Sequence, residues 1–201
     1  MEDTELEKTA AVLSEQEAQP QTGKKTEKTK LPFLFDAVSI LISAIFAIVV
    51  IFTFFFRFAG VVGPSMQPTL YENDWLIVDT AKTSFERGDI IISTQPNAFN
   101  EPIVKRVIAT GGQTIKIDFN TSSVYVDGEK IEESYVQGST NDSEGFSGTV
   151  TVPEGQLFVM GDNREHSTDS RSNAIGLLDE RYIIGKVKVR FMPFENFKVF
   201  D

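Results

Sequence analysis

The architecture of this chain is set by residues 37 to 56, which read AVSILISAIFAIVVIFTFFF and contain no charged side chain. As a helix, twenty residues span about 30 Å, which matches the hydrocarbon core of a bilayer. A cleavable signal peptide has a shorter apolar core, and a buried core helix is rarely uncharged over this length. Asp36 and Arg57 bound the run. The sequence therefore predicts one permanent transmembrane anchor at residues 37–57.

The charges beside this run predict its orientation. Four lysines precede it closely, at positions 24, 25, 28 and 30, whereas Arg57 alone follows it closely. Because basic residues next to membrane segments stay in the cytoplasm, we expect the N-terminus inside the cell and residues 58–201 outside. The first thirty residues contain few bulky apolar side chains, so residues 1–36 are predicted to form a disordered cytoplasmic tail.

Composition argues against several kinds of site. The net charge is −10, and phosphate binding needs clustered cations, so nucleic acid is not expected as a partner. The chain contains no cysteine and one histidine, which argues against thiolate metal sites and against a zinc centre. No cofactor or metal is therefore expected. A protein without disulfides is also compatible with an extracytoplasmic location.

After the anchor, the hydrophobic pattern changes to the period of two that is typical of strands. Nine segments show it, at residues 75–78, 90–92, 103–109, 114–118, 124–126, 129–131, 149–152, 157–160 and 183–191. Asp127-Gly128 predicts a type I′ hairpin turn, and residues 138–148 form a polar loop. No long amphipathic helix pattern follows Arg57. This part is therefore predicted to be mainly β, with antiparallel sheets forming a partial barrel.

A hydroxyl nucleophile is the simplest chemistry that this composition offers. In Ser65-Met66-Gln67-Pro68-Thr69, the proline fixes φ and disfavours helix before it, so a rigid turn presents Ser65. A serine needs a base, and Lys105 follows forty positions later. In a strand, Lys105 and Arg106 face opposite sides, and an apolar environment around Lys105 would lower its pKa. Taken alone, these segments favour simpler interpretations: a surface-turn serine and an edge-strand lysine.

A third segment favours the interpretation of Ser65 and Lys105 as a reacting pair. Residues 161–171 read GDNREHSTDSR, and this segment, the turn at residues 65–69 and Lys105-Arg106-Val107-Ile108 resemble three motifs of the type I signal peptidases, or leader peptidases. The motifs occur in the family's order behind a similar anchor, over residues 35–193, as in the single-anchor bacterial form. The resemblance implies a membrane-anchored serine endopeptidase that removes signal peptides from exported preproteins. In it, Ser65 and Lys105 would form a Ser–Lys dyad of nucleophile and base.

The resemblance also assigns supporting residues. Four charged residues of the third motif would brace the site: Asp162, Arg164, Asp169 and Arg171. Asp169 and Arg171 would form an ion pair beneath the site, and the other two would brace the same loop. Ser167 would hydrogen-bond the Lys105 amine and orient it. The family's architecture implies the same partial barrel, with a small β insert at about residues 112–157.

Two positions depart from the family's pattern. Some members have, two residues before the nucleophile, a serine whose hydroxyl helps to hold the oxyanion. This chain has Gly63 there, so main-chain N–H groups have to supply that donor. The second motif usually continues to Gly-Asp, whereas this chain has Gly112-Gln113. That change puts in doubt a loop contact of the missing aspartate but touches no reacting group.

The expected partners are exported preproteins and the lipid bilayer. Eight residues separate Phe56 from Ser65, so even an extended connection keeps the nucleophile within about 30 Å of the membrane. A nucleophile at that height suits precursors that are still held in the membrane by their own apolar signal.

Three alternatives stay open at this point. Ser65 could pair with His166 instead of lysine, although His166 and Ser167 cannot both face inward in an extended segment. The chain could be another Ser–Lys self-processing protease, but a repressor of that kind would have a DNA-binding head in place of this tail and anchor. It could also be a catalytically dispensable, signal-peptidase-like protein that assists assembly of surface polymers. Such a protein is free to lose the serine or the lysine, and this chain keeps both.

Overall fold

The structure, a computed structural model, describes residues 31–81 and 84–200. The described residues divide into two units, at residues 31–45 and from residue 46 onward. The predicted tail at residues 1–36 lies outside the described residues, except for its last six, which belong to a helix. Pro32 stands in the first turn of this helix, where its missing N–H costs no hydrogen bond.

The helix, α1 (Leu31–Phe55), contains the predicted membrane segment. Its stretch Phe33–Phe55 is long and apolar enough to cross a membrane, with a mean hydropathy of 2.9 and exposed side chains. The helix starts six residues before the predicted anchor and ends two residues before the predicted end. It ends early because Phe56 and Arg57 pair with a neighbouring strand. Thr80 donates its N–H to the free carbonyl of Phe55 at 3.0 Å, which caps the end of the helix.

Twelve strands follow in the described residues, and each of the nine predicted segments corresponds to one of them. They are β1 (Phe56–Gly60), β2 (Trp75–Asp79), β3 (Ile90–Ser93), β4 (Ile103–Thr110), β5 (Thr114–Asp118), β6 (Ser123–Val126), β7 (Glu129–Lys130), β8 (Thr149–Thr151), β9 (Gln156–Met160), β10 (Leu178–Asp179), β11 (Ile183–Met192) and β12 (Lys198–Val199). The sequence did not predict β1, β10 or β12. The first begins within the predicted anchor, at Phe56, and the other two are only two residues long.

The strands form two antiparallel sheets, which confirms the predicted fold class. The larger sheet has the order β1-β2-β11-β3-β4-β9-β10, with β12 added to β11, and forms a half-barrel. The smaller sheet has the order β7-β6-β5-β8 and comes from the segment between β4 and β9. Its hairpin turn has φ values of 53° at Asp127 and 85° at Gly128, as a type I′ turn requires.

Two apolar clusters place the elements that matter for the site. One joins the sheets, because Ile108 and Phe158 of the larger sheet pack with residues of β5 and β6. The other lies in the half-barrel and includes Met66 and Leu70, which are 1% and 0% exposed. Burial of a side chain of this size contributes about 1.5–3 kcal/mol. The turn that carries Ser65 is therefore anchored in the core by its own apolar residues.

Candidate active site

Ser65 lies in the connection between β1 and β2, in a turn held by main-chain hydrogen bonds. The N–H of Leu70 donates to the carbonyl of Met66 at 2.8 Å, and the N–H of Gln67 donates to that of Pro64 at 3.1 Å. Met66 is buried in the core, whereas the neighbouring Ser65 remains partly exposed. The turn thus presents its hydroxyl at the surface of the half-barrel.

Lys105 reaches this hydroxyl from β4. Its Nζ donates to Ser65 Oγ at 2.8 Å, and the residue is 5% exposed. Burial lowers the pKa of the Lys105 ammonium below its ordinary value of 10.5 and outweighs Asp169, Glu144 and Asp162, which favour the charged form, while Arg171 adds to the lowering. A lysine with a depressed pKa supplies a neutral amine more readily. The serine hydroxyl can then donate its proton across the same short contact.

Arg106 faces the opposite side of β4, as the strand alternation predicts. Its guanidinium forms a bidentate pair with Asp162, with Nε at 2.8 Å from Oδ1 and Nη2 at 2.6 Å from Oδ2. It also lies over the ring of Tyr135, 3.9 Å from the centroid. Asp162 is 0% exposed and accepts the hydroxyl of Thr69, at the far end of the serine turn. The pair therefore ties the third motif to β4 and to the turn.

Asp162 and Arg164 were expected to brace one loop, and the structure gives them separate partners. Arg164 forms an ion pair with Glu133 and donates to the hydroxyl of Thr140 at 2.7 Å, both in the segment between β7 and β8. The predictions from sequence did not include Arg106 or Glu133 as these partners. For Arg106 a signal existed, because the residue after a buried lysine in a strand faces the other side and needs its own counter-charge.

Asp169 and Arg171 form a buried ion pair. Nε of Arg171 lies 2.9 Å from Oδ1 of Asp169, and Nη2 donates to Oδ2 at 3.0 Å. The same guanidinium donates to the carbonyls of Arg164 and Ser167, at 2.9 and 3.2 Å. Charge-assisted bidentate pairs of this kind fix a loop firmly.

Ser167 takes a different partner from the one expected. Its Oγ donates to Asp169 Oδ2 at 2.8 Å, whereas Ser65 is the hydrogen-bond partner of Lys105 Nζ among the residues that the structure describes. The expected bond from Ser167 to the lysine is thus not formed, and the Ser167 hydroxyl is directed at the carboxylate of Asp169 instead. Ser167 nevertheless lies next to the serine turn: a Cβ added to Gly161 would meet Ser167 Oγ at 2.2 Å and the carbonyl oxygen of Ser65 at 2.5 Å.

His166 is exposed, and Ser167 beside it is buried, so the two residues do face opposite ways. The imidazole Nδ1 lies 3.2 Å from Oδ1 of Asn163. Asn163 itself holds the serine turn, because its N–H donates to the carbonyl of Ser65 at 3.0 Å and its side chain donates to that of Pro64 at 3.2 Å. Nothing in the sequence indicated this role of Asn163.

Gly63 has a conformation that favours glycine, with φ at +82°. A Cβ at this position would meet nothing within 4 Å, so the space around it is open. Within the described part of the chain, no oxygen accepts the N–H of Ser65. This N–H is thus available to a ligand.

A cleft of about 620 Å³ leads to Ser65 and Lys105. Most of its lining is apolar, including Val62, Met66, Val78, Ile92, Val104 and Ile184. An apolar cleft that ends at a polar pair suits an extended chain with small or apolar side chains. Among the described residues, no group of three or more His, Asp or Glu side chains is placed to hold a metal ion.

A partly exposed serine against a buried lysine, at the end of an apolar cleft, is an arrangement that suits a serine peptidase with a lysine as base. The family model described as signal peptidase, peptidase S26 matches residues 34–192, and the chain belongs to this family. Signal peptidase I of Bacillus licheniformis is 36% identical over 178 residues, which cover 84% of this chain and 94% of that protein. Signal peptidase I T of Bacillus subtilis strain 168 is 34% identical over 87% of this chain and 94% of that protein. Signal peptidase IB of Staphylococcus aureus strain COL is 36% identical over 68% of this chain and 78% of that protein.

Proposed function

We propose that this chain removes N-terminal signal peptides from exported preproteins, with Ser65 as the nucleophile and Lys105 as the general base. The observation that carries this proposal is the 2.8 Å contact between Lys105 Nζ and Ser65 Oγ, made by a lysine that is 5% exposed. Membership of the signal peptidase family and the apolar helix α1 support the substrate class and the membrane anchoring.

The reaction proceeds in two steps. Neutral Lys105 accepts the hydroxyl proton while Ser65 Oγ attacks the scissile carbonyl. The ammonium then returns the proton to the leaving amine, and an ester to Ser65 remains. In the second step, Lys105 takes a proton from water as the water oxygen attacks the ester. It then gives this proton to Ser65 Oγ, and the signal peptide leaves with a new C-terminal carboxylate.

Main-chain donors stabilise the oxyanion of this reaction. The N–H of Ser65 is available for it, and Pro64 has no N–H, so Gly63 is the next candidate along the turn. Loss of one such donor typically lowers kcat by about 10²–10³-fold. A valine at position 63 combines a β-branched side chain with a positive φ, so Gly63→Val should lower kcat on a peptide severely. An unchanged kcat would contradict this placement of the oxyanion.

The supporting residues position the dyad. Asp169 and Arg171 hold Ser167 beside the serine turn. Asp162 holds the end of the same turn by accepting the hydroxyl of Thr69. Arg164 connects the same loop to the insert through Glu133. Fixed supports of this kind keep the hydroxyl and the amine in contact without moving during the reaction.

The pH dependence of cleavage follows from the buried amine. Only neutral Lys105 accepts a proton, and burial lowers its pKa, so kcat/KM should rise with pH through an apparent pKa well below 10.5 and then level off. Activity is lost as pH falls below that value, because the amine becomes charged. The measurement is kcat/KM on a signal-peptide-derived peptide from pH 5 to pH 11. A rate that still climbs beyond pH 10 would show that the lysine is not desolvated.

The direct test of function uses a preprotein. Detergent-solubilised chain is incubated with a model preprotein, and the N-terminus of the product is sequenced. One cut behind the small residues at the end of the signal peptide is the expected result. The alternative of a dispensable assembly factor predicts no cut, and a self-processing protease predicts cuts in this chain instead.

The orientation in the membrane follows from the lysines before α1. We place the N-terminus in the cytoplasm and residues 58–201 on the outer side, where exported preproteins emerge. External protease added to cells stripped of their wall should digest the C-terminal part and spare a tag at the N-terminus. Digestion of the tag with protection of the C-terminal part would reverse the assignment.

A further inference from the structure

The polar loop at residues 138–148 reaches the ion pair of the third motif. Arg171, whose side chain is fully buried, donates from Nη1 to the carbonyl of Asp142 at 3.2 Å, and its Nη2 lies 3.2 Å from Oε1 of Glu144. The same guanidinium makes the bidentate pair with Asp169. One buried cation is therefore shared by two carboxylates, and one of these comes from a loop outside the three family motifs.

The backbone aims the Glu144 side chain at this cation. Glu144 has φ at +49°, which is uncommon for a residue other than glycine. Its N–H donates to Oδ1 of Asp142 at 2.9 Å, so the side chain of Asp142 closes the turn that carries Glu144. The Glu144 side chain is 19% exposed, which leaves it in exchange with solvent while it contacts Arg171.

The charges of Asp169, Glu144, Arg171 and Lys105 sum to zero only when Lys105 or one of the two carboxylates carries a proton. Asp169 and Glu144 are negative and Arg171 is positive, so a charged Lys105 brings the sum to zero and a neutral Lys105 leaves one negative charge. Asp162 is matched separately by Arg106, and Asp142 adds a negative charge near Glu144 on the exposed side of the loop. A net charge away from water is costly, so a proton on Glu144 can replace the one that Lys105 gives up.

The titration of both groups agrees with this coupling. Burial, the main cause, raises the pKa of Glu144 to about 7; Asp169 and Asp142 add to the rise, and Arg171 and Lys105 oppose it. At Lys105, burial lowers the pKa, with Arg171 acting in the same direction, while Asp169, Glu144 and Asp162 oppose the lowering. The negative charge of Glu144 therefore favours the ammonium form of the lysine.

We propose that Glu144 is a positioning residue that sets the pH range in which Lys105 works as a base, a role that rests on the function proposed above. Its carboxylate holds Arg171, which together with Asp169 fixes Ser167 beside the serine turn. Its charge makes the lysine harder to deprotonate, and protonation of Glu144 removes this effect as the pH falls.

The test compares pH profiles of kcat/KM for the full-length chain in detergent, on one fluorescent peptide that carries a signal-peptide cleavage site. Replacing Glu144 by Gln removes the charge and keeps an acceptor for Arg171, so the acidic limb of Glu144→Gln should move to lower pH by about 0.5–1 unit. Glu144→Ala should move the limb in the same direction, because the shift comes from the charge. Glu144→Asp should return the limb towards the wild-type position. Glu129→Gln, which neutralises an exposed carboxylate of β7, is the matched control and should change nothing.

The possible results separate the proposals. A limb that stays in place in Glu144→Gln and Glu144→Ala, with kcat lowered at every pH, would mean that Glu144 only braces Arg171 and would overturn the proposal. A limb that moves to higher pH would overturn it as well. If Glu144→Gln does not fold, the pH profile of Glu144→Ala decides. If neither variant folds, Glu144 only braces Arg171, and the proposal is overturned. If the proposed function is wrong, the result is different: the Ser65→Ala variant then cleaves the peptide as fast as the wild-type chain does.

Discussion

Ser65→Ala and Lys105→Ala are each expected to lower kcat/KM by about 10⁴-fold or more, and the double variant should be hardly worse than either single one. The two side chains are in contact at 2.8 Å and work as one unit of proton transfer, so removal of either partner removes the function of both. The measurement is cleavage of a preprotein by each variant in detergent, with thermal unfolding as the check that the fold is intact.

His166→Ala is the matched control for this prediction. The imidazole is exposed and contacts Asn163, so the variant should keep most of the activity. An active Lys105→Ala beside an inactive His166→Ala would contradict the Ser–Lys assignment and restore the histidine alternative.

Gly161→Ala is expected to lower kcat by about 10²-fold or more, although it adds one methyl group, because a displacement of about 1 Å at a reacting group costs this much. A Cβ at position 161 would lie 2.2 Å from Ser167 Oγ, 2.5 Å from Ser167 Cβ and 2.5 Å from the carbonyl oxygen of Ser65. Non-bonded atoms essentially never come this close to a Cβ, so either the nucleophile turn or Ser167 has to move. The measurement is kcat on a peptide substrate at saturation.

Gly111→Ala controls for the loss of stability that a crowded glycine brings. Gly111 lies in the turn that leads from β4 into the smaller sheet, and a Cβ there would lie 2.8 Å from Cα of Glu154. This variant should unfold at a lower temperature but keep a kcat near the wild-type value in its folded fraction. If both variants lose kcat in proportion to their loss of stability, Gly161 has no special relation to the dyad.

Most of the fold could be predicted because the strands of this chain alternate clearly and are bounded by turn residues. The type I′ turn at Asp127-Gly128 is an example, since only residues that tolerate a positive φ suit both positions. The short strands β10 and β12 could not be predicted, because two residues carry no period and pair only through their neighbours in space. Strand β1 was not predicted for another reason: its first two residues, Phe56 and Arg57, belong to the predicted anchor.

The candidate site could be predicted in its reacting pair but not in its ion pairs. Ser65 and Lys105 stand in motifs with a recognisable local sequence, and the structure brings them together. The partner of a buried charge is chosen by tertiary contact instead, as with Glu133 for Arg164. The polar loop at residues 138–148 shows no pattern of its own, so nothing in the sequence indicated that Glu144 would reach Arg171.

The alternation of Lys105 and Arg106 along β4 has a consequence for how such a chain can change over generations. One register position carries the amine to the serine, and the next carries a guanidinium to Asp162, so a one-residue shift of β4 would turn each cation to the opposite face of the strand. A guanidinium does not lose its proton in proteins, so an arginine on the Ser65 side of the strand could not act as the base. A change of length within β4 is therefore expected to disable the site even where the sheet still forms.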